Sequence, residues 1–114
     1  MLKKIRSVIY TAPDLAAAKE WYRKATGQDP YFDEPFYVGF DIQGFELGLD
    51  PNATGGPGNQ TIAYWAVDDC EAAGNHLAGI GGKIVQPKTN VGGPTFVVIV
   101  EDPFGNQLGL IEGA

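Results

Sequence analysis

The sequence is poor in the residues that most often carry chemistry. It has one cysteine, Cys70, so an internal disulfide is excluded and oxidative stapling plays no part in the fold. It has one histidine, His76, which rules out a cluster of imidazoles for acid–base work or metal binding. Basic residues are scarce, with 8 Lys plus Arg against 14 Asp plus Glu and a net charge of −6. A sequence-independent nucleic-acid binder needs a basic stripe to displace counterions, and none is present. There is no basic amphipathic helix for a membrane surface, no apolar run of about 18 residues and no signal-peptide core, so a soluble cytoplasmic protein is expected. What the chain does have is 16 glycines and 8 prolines in 114 residues, which predicts many short strands joined by turns. A chain of this length buries roughly two-thirds of its unfolded surface as one domain, and needs no staple to do so.

The stretch Thr95 to Glu112, TFVVIVEDPFGNQLGLIE, organises the rest. A Val- and Ile-rich run turns over Asp102-Pro103-Phe104-Gly105-Asn106 into a short strand, Gln107 to Ile111, with Leu108 and Leu110 at period two. This predicts a hairpin at the C-terminal edge of a sheet, with Gln107, Gly109 and Ile111 on one face and Glu101 paired with Gln107. Upstream, Ile5 to Ala12 reads as a strand, and Asp14 caps a helix from Leu15 to about Thr26 that ends on Gly27. Tyr31-Phe32, Phe36 to Ile42 and Phe45 to Asp50 follow as strands, separated by turns at Asp33-Glu34-Pro35 and Gln43-Gly44. Residues 51–60, PNATGGPGNQ, are uncharged, hold three Gly and two Pro, and read as a linker. Within it Gly55-Gly56-Pro57-Gly58 lacks the Lys-Ser/Thr of a phosphate loop and is not followed directly by a helix. Thr61 to Val67 is then a strand, Asp68 or Asp69 caps a helix to about Gly79, and Lys83 to Gln86 is a short strand that leads through a loop at Gly92-Gly93-Pro94 to the hairpin.

The second half repeats the first. Asp14-Leu15-Ala16-Ala17-Ala18 aligns with Asp69-Cys70-Glu71-Ala72-Ala73, and Leu47-Gly48-Leu49 with Leu108-Gly109-Leu110. The expectation is an α+β fold of two tandem βαβββ modules, residues 1–50 and 61–114, forming one domain with a cupped mixed sheet and helices outside. With this repeat in place, PDLAAAKEWYRKATG (13–27), AVDDCEAAGNHLAGIGGKI (66–84) and the EDPFGNQLGLIE ending together resemble the vicinal oxygen chelate superfamily of glyoxalases, bleomycin-resistance proteins and extradiol dioxygenases. Enzymes of that family hold a divalent metal on the concave sheet face. Carried over by position, the resemblance implies ligands at Ser7, at Glu46 or Gly48, at Ile62 and at Gly109. Ile62 and Gly109 offer no donor, and a catalytic divalent site usually takes three protein ligands, so neither a metal nor another cofactor is expected.

Glu46 shares a strand face with Gly48 and Asp50, where it could bind a cationic or hydroxylated ligand or, with a raised pKa, act as a base. Tyr64 shares its face with Ile62 and Ala66. Phe36 and Phe40 are taken to line the same concavity, while Trp21, Tyr22 and Trp65 are assigned to the core. His76 reads as a helix-surface residue, and Cys70, aligned with Leu15, as a packing residue. The expected ligand-binding set is therefore Ser7, Phe36, Phe40, Glu46, Ile62, Tyr64, Gln107 and Gly109, with no catalytic residue. An aromatic-walled hollow with few polar groups suits a small aromatic or hydrophobic molecule, bound without being transformed, as in antibiotic-sequestering resistance proteins. The acidic surface would attract cationic drugs. Two rivals are a metal-dependent lyase, isomerase or dioxygenase whose ligands a partner chain completes, and a pocketless protein that serves dimerisation. The resemblance also implies a homodimer.

Overall fold

A computed structural model describes residues 3, 5–52 and 62–113 of the chain. The chain divides into two compact units, Met1–Gly56 and Pro57–Ala114. The linker predicted over 51–60 falls across this division, and all of it beyond Asn52 lies outside the described residues, as does Thr61.

In the first unit the order is β1 (Ser7–Thr11), α1 (Leu15–Thr26), β2 (Phe32–Glu34), β3 (Tyr37–Ile42) and β4 (Phe45–Asp50). The sheet order is β1-β4-β3-β2, with β1 parallel to β4 and the other pairs antiparallel. The Asp14 side chain accepts the Ala17 N–H at 3.1 Å, satisfying one of the free donors at the start of α1. The helix buries Ala18, Trp21 and Tyr22, which occur at three- and four-residue spacing. That stripe packs on β3 and β4, where Val38, Phe40, Leu47 and Leu49 are at most 2 % exposed. Burying each of these large side chains contributes about 1.5–3 kcal/mol. Tyr22 also stacks on Tyr10 of β1, ring centroids 5.6 Å apart. The turn between β3 and β4 places Gln43 and Gly44 at φ 52 and 87, the two positive values of a type I′ hairpin, and Asp41 accepts the Gly44 N–H at 2.7 Å.

The second unit repeats the plan with β5 (Ala63–Ala66), α2 (Cys70–Gly79), β6 (Lys83–Gly92), β7 (Thr95–Glu101) and β8 (Gln107–Glu112), in the order β5-β8-β7-β6. Again the first strand is parallel to the last. Asp69 accepts the Ala72 N–H at 3.0 Å, as Asp14 does in the first unit. The core is Cys70 and Leu77 of α2 against Val98, Val100, Leu108 and Leu110. Gly74 lets the helix come close, since a Cβ there would lie 2.9 Å from Val98 Cγ1. The fold is thus α+β, and the described residues form two helices and eight strands in two four-stranded mixed sheets.

Three local expectations change. The β7–β8 hairpin is not at a sheet edge: β5 pairs along β8 and β6 along β7, so both strands are interior. The strand expected over Lys83 to Gln86 runs on to Gly92, through three register shifts that interrupt its alternation. Asp33 and Glu34, expected in a turn, belong to β2, and Tyr31 precedes it. Glu101 does pair with Gln107.

Candidate functional site

In each sheet one face carries the helix, and side-chain alternation fixes what stands on the other. In the first unit the helix-free face bears Ser7 and Ile9 from β1, Glu46, Gly48 and Asp50 from β4, Tyr37, Gly39 and Asp41 from β3, and Phe32 from β2. The register brings Ser7 opposite Glu46, Glu46 opposite Asp41, and Gly48 opposite both Ile9 and Gly39. Two facing glycines leave a patch of bare backbone, and two tyrosine rings lie over it. A Cβ on Gly39 would lie 3.2 Å from Tyr31 Cε1, and one on Gly48 would lie 2.7 Å from Tyr37 Cζ. The rings reach across the patch to one carboxylate. The Tyr31 hydroxyl donates to Glu46 Oε1 and the Tyr37 hydroxyl donates to Glu46 Oε2.

This grip sets the charge state of all three groups. The hydrogen bonds from Tyr31 and then Tyr37, aided by nearby Arg6, hold the Glu46 carboxyl below the usual carboxylate range against the opposing effect of desolvation. Tyr31 is raised chiefly by its hydrogen bond to Glu46. Tyr37, half-buried, is raised first by burial and then by the same carboxylate. Glu46 is therefore an ionised acceptor facing two protonated phenols. The expectation of a raised carboxyl acting as a base is overturned, because groups that donate to the charged form make it a weaker base.

The other expected site residues are scattered. Ser7 is exposed beside Glu46. Phe36 sits in the β2–β3 turn, 63 % exposed, its ring edge-on to Phe32 at 6.1 Å. Phe40 is fully buried on the helix side, across from Leu47, and so is a core residue rather than part of any hollow on the Glu46 face. In the second unit Ile62 is half-buried just before β5, and Gln107 is exposed at the start of β8. Tyr64 is 53 % exposed and its ring lies over Gly109, where a Cβ would come within 2.6 Å of Cε2. Tyr31 and Tyr37, which the sequence places with Phe32, Phe36 and Phe40 in the aromatic crowd on the second and third strands, stand outside the expected ligand-binding set. The alternation Tyr37-Gly39-Asp41 against Glu46-Gly48-Asp50 carries enough signal to place Tyr37 on the face, whereas Tyr31 lies outside any strand and has none.

The metal that the resemblance implies finds no matching donors. Both Glu46 oxygens already accept phenol protons, Gly109 lies beneath the Tyr64 ring, and Ile62 is aliphatic. Among the described residues no three His, Cys, Asp or Glu side chains come together as a ligand group. Elsewhere, His76 is exposed on α2. Cys70 is buried at the start of α2, where burial and then the Glu112 carboxylate push its thiol up to about 11. A cleft of about 390 Å³ opens between α1 and the β2–β3 turn, lined by Leu15, Lys19, Asp33, Pro35 and Val38. The Lys19–Asp33 ion pair, 3.0 Å long, belongs to its wall, and Glu46 does not line it.

The family model of the glyoxalase/bleomycin resistance protein/dioxygenase superfamily matches residues 4–110. Among solved structures, a glyoxalase-related enzyme from Fulvimarina pelagi has a TM-score of 0.84 at 18 % identity, covering 98 % of this chain and 89 % of its own. A lactoylglutathione lyase from Agrobacterium tumefaciens has a TM-score of 0.77 at 20 % identity, covering 99 % and 96 %. A glyoxalase/bleomycin resistance protein/dioxygenase from Nocardioides has 0.75 at 16 %, covering 98 % and 84 %. At these identities the structural likeness shows the fold alone. No curated protein matches the chain in sequence. Since the family model spans nearly all of it, the chain belongs to the glyoxalase/bleomycin resistance protein/dioxygenase superfamily.

Proposed function

We propose that this protein binds a small, flat aromatic or apolar molecule on the helix-free face of its first sheet and holds it without transforming it, in the manner of sequestering resistance proteins. The observation that carries the reading is an exposed aromatic surface that starts at Tyr31, a hydrogen-bond partner of Glu46, and runs through Phe32 to Phe36. Tyr31, Phe32 and Phe36 are 62 %, 38 % and 63 % exposed, and adjacent exposed rings of this size mark a binding surface more often than a solvated one. A carboxylate held ionised at the Tyr31 end gives the surface one fixed polar anchor, the usual composition of a small-molecule site. The absence of a reaction rests on the residues themselves: the implied ligand positions hold Ser7, Ile62 and Gly109, and Glu46 is tied by two phenols.

Titration calorimetry with a panel of aromatic drugs tests this directly, followed by amide NMR of Gly39 and Gly48. Saturable binding that moves those two amides is expected. Tryptophan quenching would report poorly, because Trp21 is buried in α1 and Trp65 lies level with Leu110 on the helix side of its sheet. No binding at high micromolar ligand would sink the proposal. Protein purified without chelator and carrying stoichiometric nickel, zinc, iron or manganese would favour the metal-dependent enzyme instead.

A further inference from the structure

The two tyrosine rings over the glycine patch are held unequally. Tyr37 belongs to β3, an interior strand, and its ring is pinned between the Gly48 backbone, Ile9 and Glu46. Tyr31 precedes the edge strand β2. Its backbone N–H donates to the Gly39 carbonyl at 3.0 Å, but its ring is held by one hydroxyl bond to Glu46 and by contact with Gly39. Rotation about χ1 would carry that ring into solvent without disturbing the strand. It would uncover a slot of backbone one ring wide, with an ionised carboxylate oxygen at its end.

The geometry points to Tyr31 as a stand-in for the ligand: the site takes a planar aromatic ring with a hydrogen-bond donor on its edge, a phenol or its equivalent, which displaces the Tyr31 ring, lies on Gly39 and donates to Glu46 Oε1. This rests on the binding function proposed above and narrows it to a chemical class. Without an edge donor, an apolar ring would turn only C–H groups to that oxygen and strip it of its hydrogen-bond partner. A ring bearing a carboxylate would meet like charge from Glu46, Asp41 and Asp50, which share the face.

The test uses the full chain with Tyr31→Ala and three probes that share a tolyl ring and differ only at the para position: p-cresol, the analogue of the Tyr side chain, toluene and p-toluate. In the variant, p-cresol should bind at least about tenfold tighter than toluene, the worth of a hydrogen bond to a charged acceptor. It should shift the Gly39 and Gly48 amides, and p-toluate should not. It should also bind tighter to the variant than to the wild type, where it must first displace a ring, and Glu46→Gln on top of Tyr31→Ala should shrink the preference over toluene, because a neutral amide oxygen is a weaker acceptor than a carboxylate. Tyr31→Phe, which removes only the hydroxyl, guards against a folding defect and should likewise bind p-cresol more tightly than the wild type. Toluene binding as tightly as p-cresol, or p-cresol shifting amides elsewhere, would overturn the assignment while leaving the broader binding proposal standing. Failure of these probes together with the whole drug panel would remove both.

Discussion

In the first unit the strand that pairs with β1 reads Glu46-Leu47-Gly48-Leu49, and in the second the strand that pairs with β5 reads Gln107-Leu108-Gly109-Leu110. The glycine occupies the same place in both. It sits opposite Ile9 or Tyr64 on the parallel side, and opposite Gly39 or Ile99 on the antiparallel side. From the same frame the two helix-free faces diverge, and three of the differing positions make the site. Where the first unit has Tyr37, Gly39 and Glu46, the second has Val97, Ile99 and Gln107. Val97 and Ile99 are 4 % and 5 % exposed and fill their own space. The glycine at 39 leaves a gap instead, the tyrosines cover it, and the charge of Glu46 draws both phenols in. A polar site thus arises from removing a side chain as much as from adding one.

The largest effects belong to what the units share, the helix-facing core. Phe40→Ala should lower stability by about 3–5 kcal/mol in chemical denaturation, and the matching Val100→Ala by about 2 kcal/mol, because fewer buried carbons are lost. Tyr64→Ala, on the other face and half exposed, should cost far less, and an equal loss there would erase the distinction between the faces. Next comes the shared glycine. Gly48→Ala places a methyl 2.7 Å from Tyr37 Cζ and 2.6 Å from Ile9 Cδ1, within a ring that is pinned, and overpacking of this kind costs about 1–3 kcal/mol. Gly109→Ala meets a ring with open solvent beside it and should cost less. Carbon-detected NMR should show the Glu46 carboxyl moving up toward the ordinary range in Gly48→Ala, as the Tyr37 hydrogen bond is broken. Equal costs at the two glycines would mean that Tyr37 is not held.

Local chemistry was legible in the sequence and long-range pairing was not. The caps Asp14 and Asp69, the αL glycine after α1 and the Leu47/Leu49 and Leu108/Leu110 core positions each follow from a few adjacent residues. Placing β7–β8 at an edge failed because the partner that covers β8 is β5, more than forty residues away and parallel to it. The length of β6 was hidden by its register shifts and by Pro87, which an edge strand tolerates because its N–H side need not pair. Phe40 shares parity with Val38, so period two places it on the helix side, and reading aromatic content as pocket lining obscured that. Tyr31 reaches Glu46 from outside any strand, where no periodicity speaks.

Replacing Glu46 by Gln gives the first unit the second unit's residue and sharpens the comparison through pH. A carboxyl whose folded pKa is depressed contributes stability above its unfolded pKa, and that contribution disappears as pH falls through the folded value. Wild-type protein should therefore lose stability on acidification below the ordinary carboxylate range, and Glu46→Gln should lose less over the same interval. The phenols move the opposite way. Their raised values mean that the protonated form is favoured in the fold, with a contribution present below the unfolded phenol pKa and lost as pH rises through the folded one. Ultraviolet titration of Glu46→Gln should move Tyr31 down toward the ordinary range, since Glu46 is its chief cause, but leave Tyr37 raised by burial. If both returned together, burial would not be what governs Tyr37.

The smallest effect is expected at the helix starts, where the units differ by Leu15 against Cys70. A helix N-terminus ordinarily makes a thiol more reactive, and here the opposite holds. Cys70 is fully buried, its backbone N–H donates to Glu112 Oε1 at 2.8 Å, and that carboxylate, with Lys88 3.8 Å away, faces the thiol and disfavours a thiolate beside it. With its pKa up at about 11, the thiol should label negligibly with a disulfide reagent at neutral pH in the native state and rapidly once denatured. Glu112→Gln should raise native labelling only slightly, because burial is the larger cause and the substitution does not expose the sulfur. Rapid labelling of native protein would show instead that the start of α2 opens, and that Cys70 is not the packing residue that its alignment with Leu15 implies.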